Sequence, residues 1–223
     1  MMDSIEASAK AQTVLGQLLE HPRLGRYIDS SLEIPRGFRG SGEIRLIILG
    51  QDPTVKNERS RQTIRCVLNL DSRGNLWNYL SQVCRELGIE LSRNVYATNL
   101  LKNFLVAPPT QIKEIDVFQE ALPFWLPLLK EELAEFPSVP VLALGEPLLT
   151  LLVRDPGKAR VRDYWGYTTG WKTRAQGPFS CLAPQENILG RTVFPFPHQP
   201  SIRKTFYRDR LLDYCAFTRQ AIG

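Results

Sequence analysis

Histidine is scarce in this chain: 223 residues carry only His21 and His198. With so few imidazoles and no clustered thiols, a transition-metal site is not expected. The four cysteines, Cys66, Cys84, Cys181 and Cys215, form no CxxC pair, which excludes a zinc knuckle and a thioredoxin-like motif. They read as small buried hydrophobes in a reducing compartment and not as a disulfide framework. A long apolar run is also missing. The most apolar stretch, residues 139–153, is interrupted by Gly145-Glu146-Pro147 and falls short of a membrane span. The N-terminal residues include Asp3 and Glu6 and show no long apolar h-region, so no signal peptide is expected. A soluble, cytoplasmic chain without a membrane partner is the expectation. No GxSxG elbow and no Walker A loop occurs, and Gly40-Ser41-Gly42 precedes a strand pattern where a dinucleotide fingerprint would follow one. There is no repeat, no low-complexity tract and no linker, so residues 1–223 are read as one domain.

What is present is an ordinary globular composition, 43% hydrophobic and 23% charged, with 28 Lys and Arg against 23 Asp and Glu. The net charge of +5 is compatible with a polyanionic partner without demonstrating one. Four short apolar runs stand out: RLIILG (45–50), NVYATN (94–99), VPVLALG (139–145) and TVFPFP (192–197). Each is too short for a helix, and its apolarity is continuous instead of alternating, the pattern of strands buried on both faces of a mostly parallel sheet. Between them lie helical patterns over residues 75–88, 117–136 and 205–221, with Pro123 and Pro127 set to shorten or kink the second. Apolar spacing in the first 21 residues suits a further amphipathic helix. This alternation predicts an α/β three-layer sandwich, a central four-stranded sheet flanked by helices. Residues 154–191, rich in Gly, Pro, Arg and aromatics, lack a clean period and predict a small hairpin or a functional excursion.

Ligands of open parallel α/β sheets bind beyond the carboxyl ends of the strands. There the sequence places Gly50-Gln51-Asp52-Pro53, then Asn99, then Gly145-Glu146-Pro147, then His198-Gln199-Pro200-Ser201. A carboxylate, an amide and a histidine thus converge on one edge. Taken singly, each has a plainer reading: Asp52 before Pro53 as turn chemistry, Asn99 as a helix cap, His198 as a surface turn residue.

These segments together carry a resemblance. LIILGQDP resembles the strand and water-activating loop of the uracil-DNA glycosylase superfamily, whose best-known branch reads GQDPYH. NVYATNLLKNF is similar to its second motif, VPVLALGEP to its third strand and glycine turn, and FPFPHQPSIRK to its closing motif. The four pieces occur in the family's order between about residues 45 and 203.

The resemblance implies a monofunctional DNA glycosylase that hydrolyses the N-glycosidic bond of uracil, or of another deaminated or modified base, after flipping it from the stack. It implies Asp52 and His198 as catalytic residues, the first steadying the sugar cation and orienting water, the second donating to the departing base. Asn99 would read the base edge, with Gln51 holding the base. Ser201 would contact phosphate, Arg203 would fill the vacated stack, and Lys204 with other basic residues would meet the backbone. No lysine nucleophile, metal or other cofactor is implied; DNA is the partner, and a monomer is the default. The chain departs from the family's pattern in four places, one being residues 154–191, longer than the family's connection. Thr54-Val55 stands where the best-known branch has Tyr-His. Residues 63–68, TIRCVL, offer no aromatic to stack on a base. Aligning on Pro200-Ser201 puts Gln199 in the catalytic histidine's place, so His198 and Gln199 both remain candidates. The alternative functions are a non-catalytic glycosylase-like module that binds DNA or protein, and a hydrolase of free nucleosides.

Overall fold

The computed structural model describes residues 4–167 and 177–222. Five strands form one sheet: β1 (Phe38–Arg39), β2 (Leu46–Gly50), β3 (Val95–Asn99), β4 (Val141–Leu144) and β5 (Val193–Phe196). Their order is β1-β3-β2-β4-β5, with β1 antiparallel to β3 and every other pairing parallel. The fold is therefore α/β with a mostly parallel sheet flanked by helices, and the four expected strands are its parallel part. The expectation of four falls one short. Phe38 and Arg39 make a two-residue edge strand, too brief to leave a periodic signal in the sequence.

Central β2 shows why the apolar runs are unbroken: every residue from Leu46 to Gly50 is buried, so both faces need apolar side chains. Pro195 is tolerated in β5 because an outer strand needs no donor on its free side. Its carbonyl instead accepts from the Trp165 indole at 2.8 Å, and Trp165 stacks on Tyr214.

The helices are α1 (Ser4–Glu20), α2 (Glu58–Arg61), α3 (Asn75–Glu86), α4 (Leu91–Asn94), α5 (Val117–Ala134), α6 (Glu146–Leu152), α7 (Val161–Tyr164) and α8 (Thr205–Ile222). Helix α1 packs on α5 and α3 on α8. Helix α5 runs unshortened through Pro123 and Pro127. Asp116 caps it by accepting from the Phe118 and Gln119 amides, and buried Trp125, Leu128, Leu129 and Leu133 hold it against the core. That packing outweighs the backbone bonds the two prolines remove.

Residues 168–176 lie outside those described, so part of the aromatic stretch and of the expected hairpin falls there. The described remainder of 154–191 holds a 3-10 turn (Pro156–Lys158), the single-turn α7, and antiparallel bridges from Val153 to Asn187 and from Leu182 to Val193. No helix among the described residues is long and apolar enough to cross a membrane. The four cysteines are unbridged, Cys66, Cys84 and Cys215 being buried.

Candidate functional site

The parallel register sets Gly50 beside Asn99 and Leu144 beside Phe196, so the carboxyl ends of the strands open on one edge. A cavity of about 380 Å³ lies there, and among its lining residues are Gly50, Gln51, Asp52, Leu68, Gly145 and His198. Three candidates, Gln51, Asp52 and His198, therefore share one wall. Gln199 does not line it, nor does Asn99.

Asp52 leaves β2 in tight turn geometry, its Oδ2 accepting the Thr54 amide at 2.9 Å. The turn role and a place in the cavity thus belong to the same carboxylate. Burial raises its pKa from 3.8 to about 6, only partly offset by the hydrogen bonds from Thr54. The shift puts its titration close to neutrality, the range suited to proton management. The Thr54 hydroxyl in turn accepts the Leu105 amide at 2.9 Å, which joins the loop after β2 to the loop after β3.

Arg61 makes the same junction. It is 6% exposed, and its guanidinium donates to the carbonyls of Val55, Leu105 and Val106 at 2.9, 3.1 and 3.0 Å. A buried arginine spending its donors on three carbonyls of two loops is a structural staple, and the backbone targets that define it leave no mark in the sequence.

Asn99 is 1% exposed and caps no helix; residues 100–108 beyond it form none, and the next is the 3-10 turn Pro109–Gln111. Its Oδ1 is buried without a hydrogen-bond partner. An unpaired acceptor of this kind costs about 1–3 kcal/mol, which makes it a functional candidate. A Cβ added to Gly50 would stand 2.3 Å from this oxygen and 2.8 Å from Leu68 Cδ2, so a larger residue there must displace one or both side chains.

Behind Asn99, Lys102 is buried and donates to the Thr98 hydroxyl at 2.6 Å, the Asn99 carbonyl at 3.1 Å and Glu132 of α5 at 2.7 Å. Burial lowers its pKa, while Glu132 acts against that shift. Lys102 does not line the cavity.

His198 is exposed but packs its Cβ over Gly145, whose φ of 92° suits only glycine. Partial burial lowers its pKa, which favours the neutral imidazole at physiological pH. Its backbone is held on both sides: the Tyr79 hydroxyl donates to the Pro197 carbonyl at 2.9 Å, and the Ser201 amide to the His198 carbonyl at 2.7 Å. Arg203 and Lys204 follow, both exposed; Ser201 is half-buried. Of the other basic residues, Lys158 pairs with Glu186, Arg162 with Asp163 and Arg208 with Asp209, and Arg210 lies 4.4 Å from the Phe179 ring centroid.

The cavity wall beside Gly50 has an unusual backbone. Leu68 and Asn69 have φ of 55° and 53°, left-handed backbone that side chains other than glycine seldom adopt. Such conformations cost about 1–3 kcal/mol each and concentrate at binding sites. In the sequence residues 63–68 stand out only for lacking an aromatic, and nothing there marks the backbone state of Leu68 and Asn69.

A more open groove of about 510 Å³ adjoins the cavity through Gln51 and Pro147, but of the candidates it contains Gln51 alone. The cavity at the strand ends is the one that brings Asp52 and His198 together. Among the described residues no group of three or more His, Cys, Asp or Glu side chains is arranged to hold a metal ion. No protein-family model matches the chain, and no curated protein matches it in sequence.

Proposed function

We propose that the chain is a monofunctional DNA base-excision glycosylase, hydrolysing the N-glycosidic bond of uracil or of another deaminated or modified base. The observation that carries this reading is one cavity, at the carboxyl edge of a parallel sheet, that joins the Asp52 carboxylate to the His198 imidazole.

The chemistry follows from charge. As the glycosidic bond breaks, its electron pair leaves with the base, and positive charge develops on the sugar. An ionised Asp52 would stabilise that cation and orient the water that adds to it. His198, neutral at physiological pH, would donate a hydrogen bond to the departing anion. Asn99 Oδ1 would accept from a ring N–H, and Gln51 would hold the base. Ser201, Arg203 and Lys204, next to His198 in the chain, would meet the DNA, with Ser201 on a phosphate and Arg203 in the vacated stack. Gln199 stays outside the reaction in this scheme. Lys102 is held by Glu132 away from the cavity, which favours hydrolysis over Schiff-base strand cleavage.

The test is a labelled oligonucleotide with one uracil, followed by hot alkali to cut any abasic site. Parallel substrates carry hypoxanthine, xanthine or a G·T mismatch. Cleavage that disappears in Asp52→Asn, with DNA binding retained, is the expected result. Silence on every substrate from folded protein would overturn the enzyme reading in favour of a binding module.

A further inference from the structure

Three observations meet at one point of the cavity. The Asn99 carboxamide oxygen is buried and unpartnered although it adjoins Gly50, a cavity residue. Leu68, itself half-buried and lining the cavity, brings its Cδ2 to the same space above Gly50 that the oxygen borders. The backbone at Leu68 and Asn69 is left-handed on two successive residues, neither of them glycine.

We propose that Leu68 is a movable cover over Asn99. In the unliganded chain its side chain seals the carboxamide oxygen from the cavity, and a planar ring bearing an N–H donor displaces it and gives the oxygen its missing partner. This deepens the glycosylase reading, and rests on it for the identity of the ring.

The turn is built for a side-chain movement. The Arg36 amide donates to the Arg65 carbonyl at 3.1 Å and the Val67 amide to the Arg36 carbonyl at 2.9 Å, while the Asn69 amide donates to the Cys66 carbonyl at 3.0 Å. These bonds hold the backbone on either side of Leu68 and leave its side chain to swing. An aliphatic cover suits this use: it has staggered rotamers to exchange, and it offers the acceptor no hydrogen bond that a ligand would have to break. A dry, unpaired acceptor under an apolar cover discriminates strongly, because only a ring with a donor at the right place repays uncovering it.

Two measurements on the full chain decide the matter. The first needs no ligand: the ¹³C shift of the Asn99 carboxamide carbon, which responds to a hydrogen bond on its oxygen, followed by NMR in wild type, Leu68→Ala and Leu68→Gly. Glycine fits the left-handed backbone, so it removes the cover without adding strain. A downfield shift in both variants is expected as water reaches the oxygen. An unchanged shift overturns the cover.

The second is binding of a uracil-containing oligonucleotide in the Asp52→Asn background, where cleavage is silenced. Leu68→Ala should tighten Kd by about tenfold, since the closed state no longer taxes binding, and the gain should vanish when Asn99→Ala is added. Weaker binding in Leu68→Ala makes Leu68 an ordinary wall that contacts the base, and a gain that survives Asn99→Ala removes the link to the carboxamide; either overturns the proposal. Absence of oligonucleotide binding in every chain counts against the glycosylase reading, and the carboxamide shift then decides the cover by itself.

Discussion

The Tyr79 hydroxyl of helix α3 donates to the Pro197 carbonyl at 2.9 Å, one residue before His198. The bond is buried, and burial holds the phenol far above its ordinary pKa, so it remains a donor at every physiological pH. Tyr79→Phe leaves the carbonyl without its donor inside the protein. A loss of about 1–3 kcal/mol in urea denaturation is expected. A larger loss in kcat than in KM would show that the bond also positions His198.

Lys102 and Glu132 form a buried ion pair whose energy lies in its completeness. Lys102→Met leaves the Glu132 carboxylate without a cation, with only the Thr98 and Tyr96 hydroxyls donating to it, and should destabilise the chain by about 3–5 kcal/mol. Adding Glu132→Gln removes the stranded charge, so the double variant should recover most of that loss. Denaturation of the three chains side by side checks the order.

The raised pKa of Asp52 makes stability fall with rising pH. The folded chain retains a proton between pH 3.8 and about 6 that the unfolded chain has released, so the fold is weakened across that window. Asp52→Asn cannot ionise. It should match wild type near pH 4 and exceed it at pH 7 by up to about 3 kcal/mol. Thermal melts at the two pH values measure the difference. Glycosylase activity that needs the ionised carboxylate should rise with pH through about 6, the opposite trend in the same residue.

Gly50→Ala puts a methyl group 2.3 Å from Asn99 Oδ1. Asn99, at the end of β3, and Leu68, in the turn of residues 67–69, must both shift to admit it, so an overpacking loss of about 1–3 kcal/mol is expected. Displacement of Asn99 should abolish selective binding of a uracil-containing strand even in protein that remains folded. Selectivity retained at the wild-type level would show that Asn99 does not read the base.

The architecture was legible in the residues because burial on both faces writes itself as unbroken apolarity: LIILG and VLAL could be recognised as interior strands without any coordinates. Helix α3 followed from its one apolar face, and the chain order of Asp52, Asn99 and His198 at strand ends followed from the strands. The short edge strand at Phe38–Arg39 did not, because two residues carry no period.

Which chemical groups stand at the sheet's carboxyl edge can be read from the residues alone, since strand ends are local events. How those groups relate to one another is a matter of long-range packing. It put His198 in the cavity and left Gln199 out, because the sidedness of a turn depends on what packs beneath it, here Gly145. It withdrew Asn99 behind Gly50 and Leu68, and it turned Lys102 to Glu132, 30 residues away. Hydrogen bonds to backbone carbonyls, left-handed turns and unpaired acceptors all depend on atoms distant in the chain, and a residue's identity does not specify which atoms those will be.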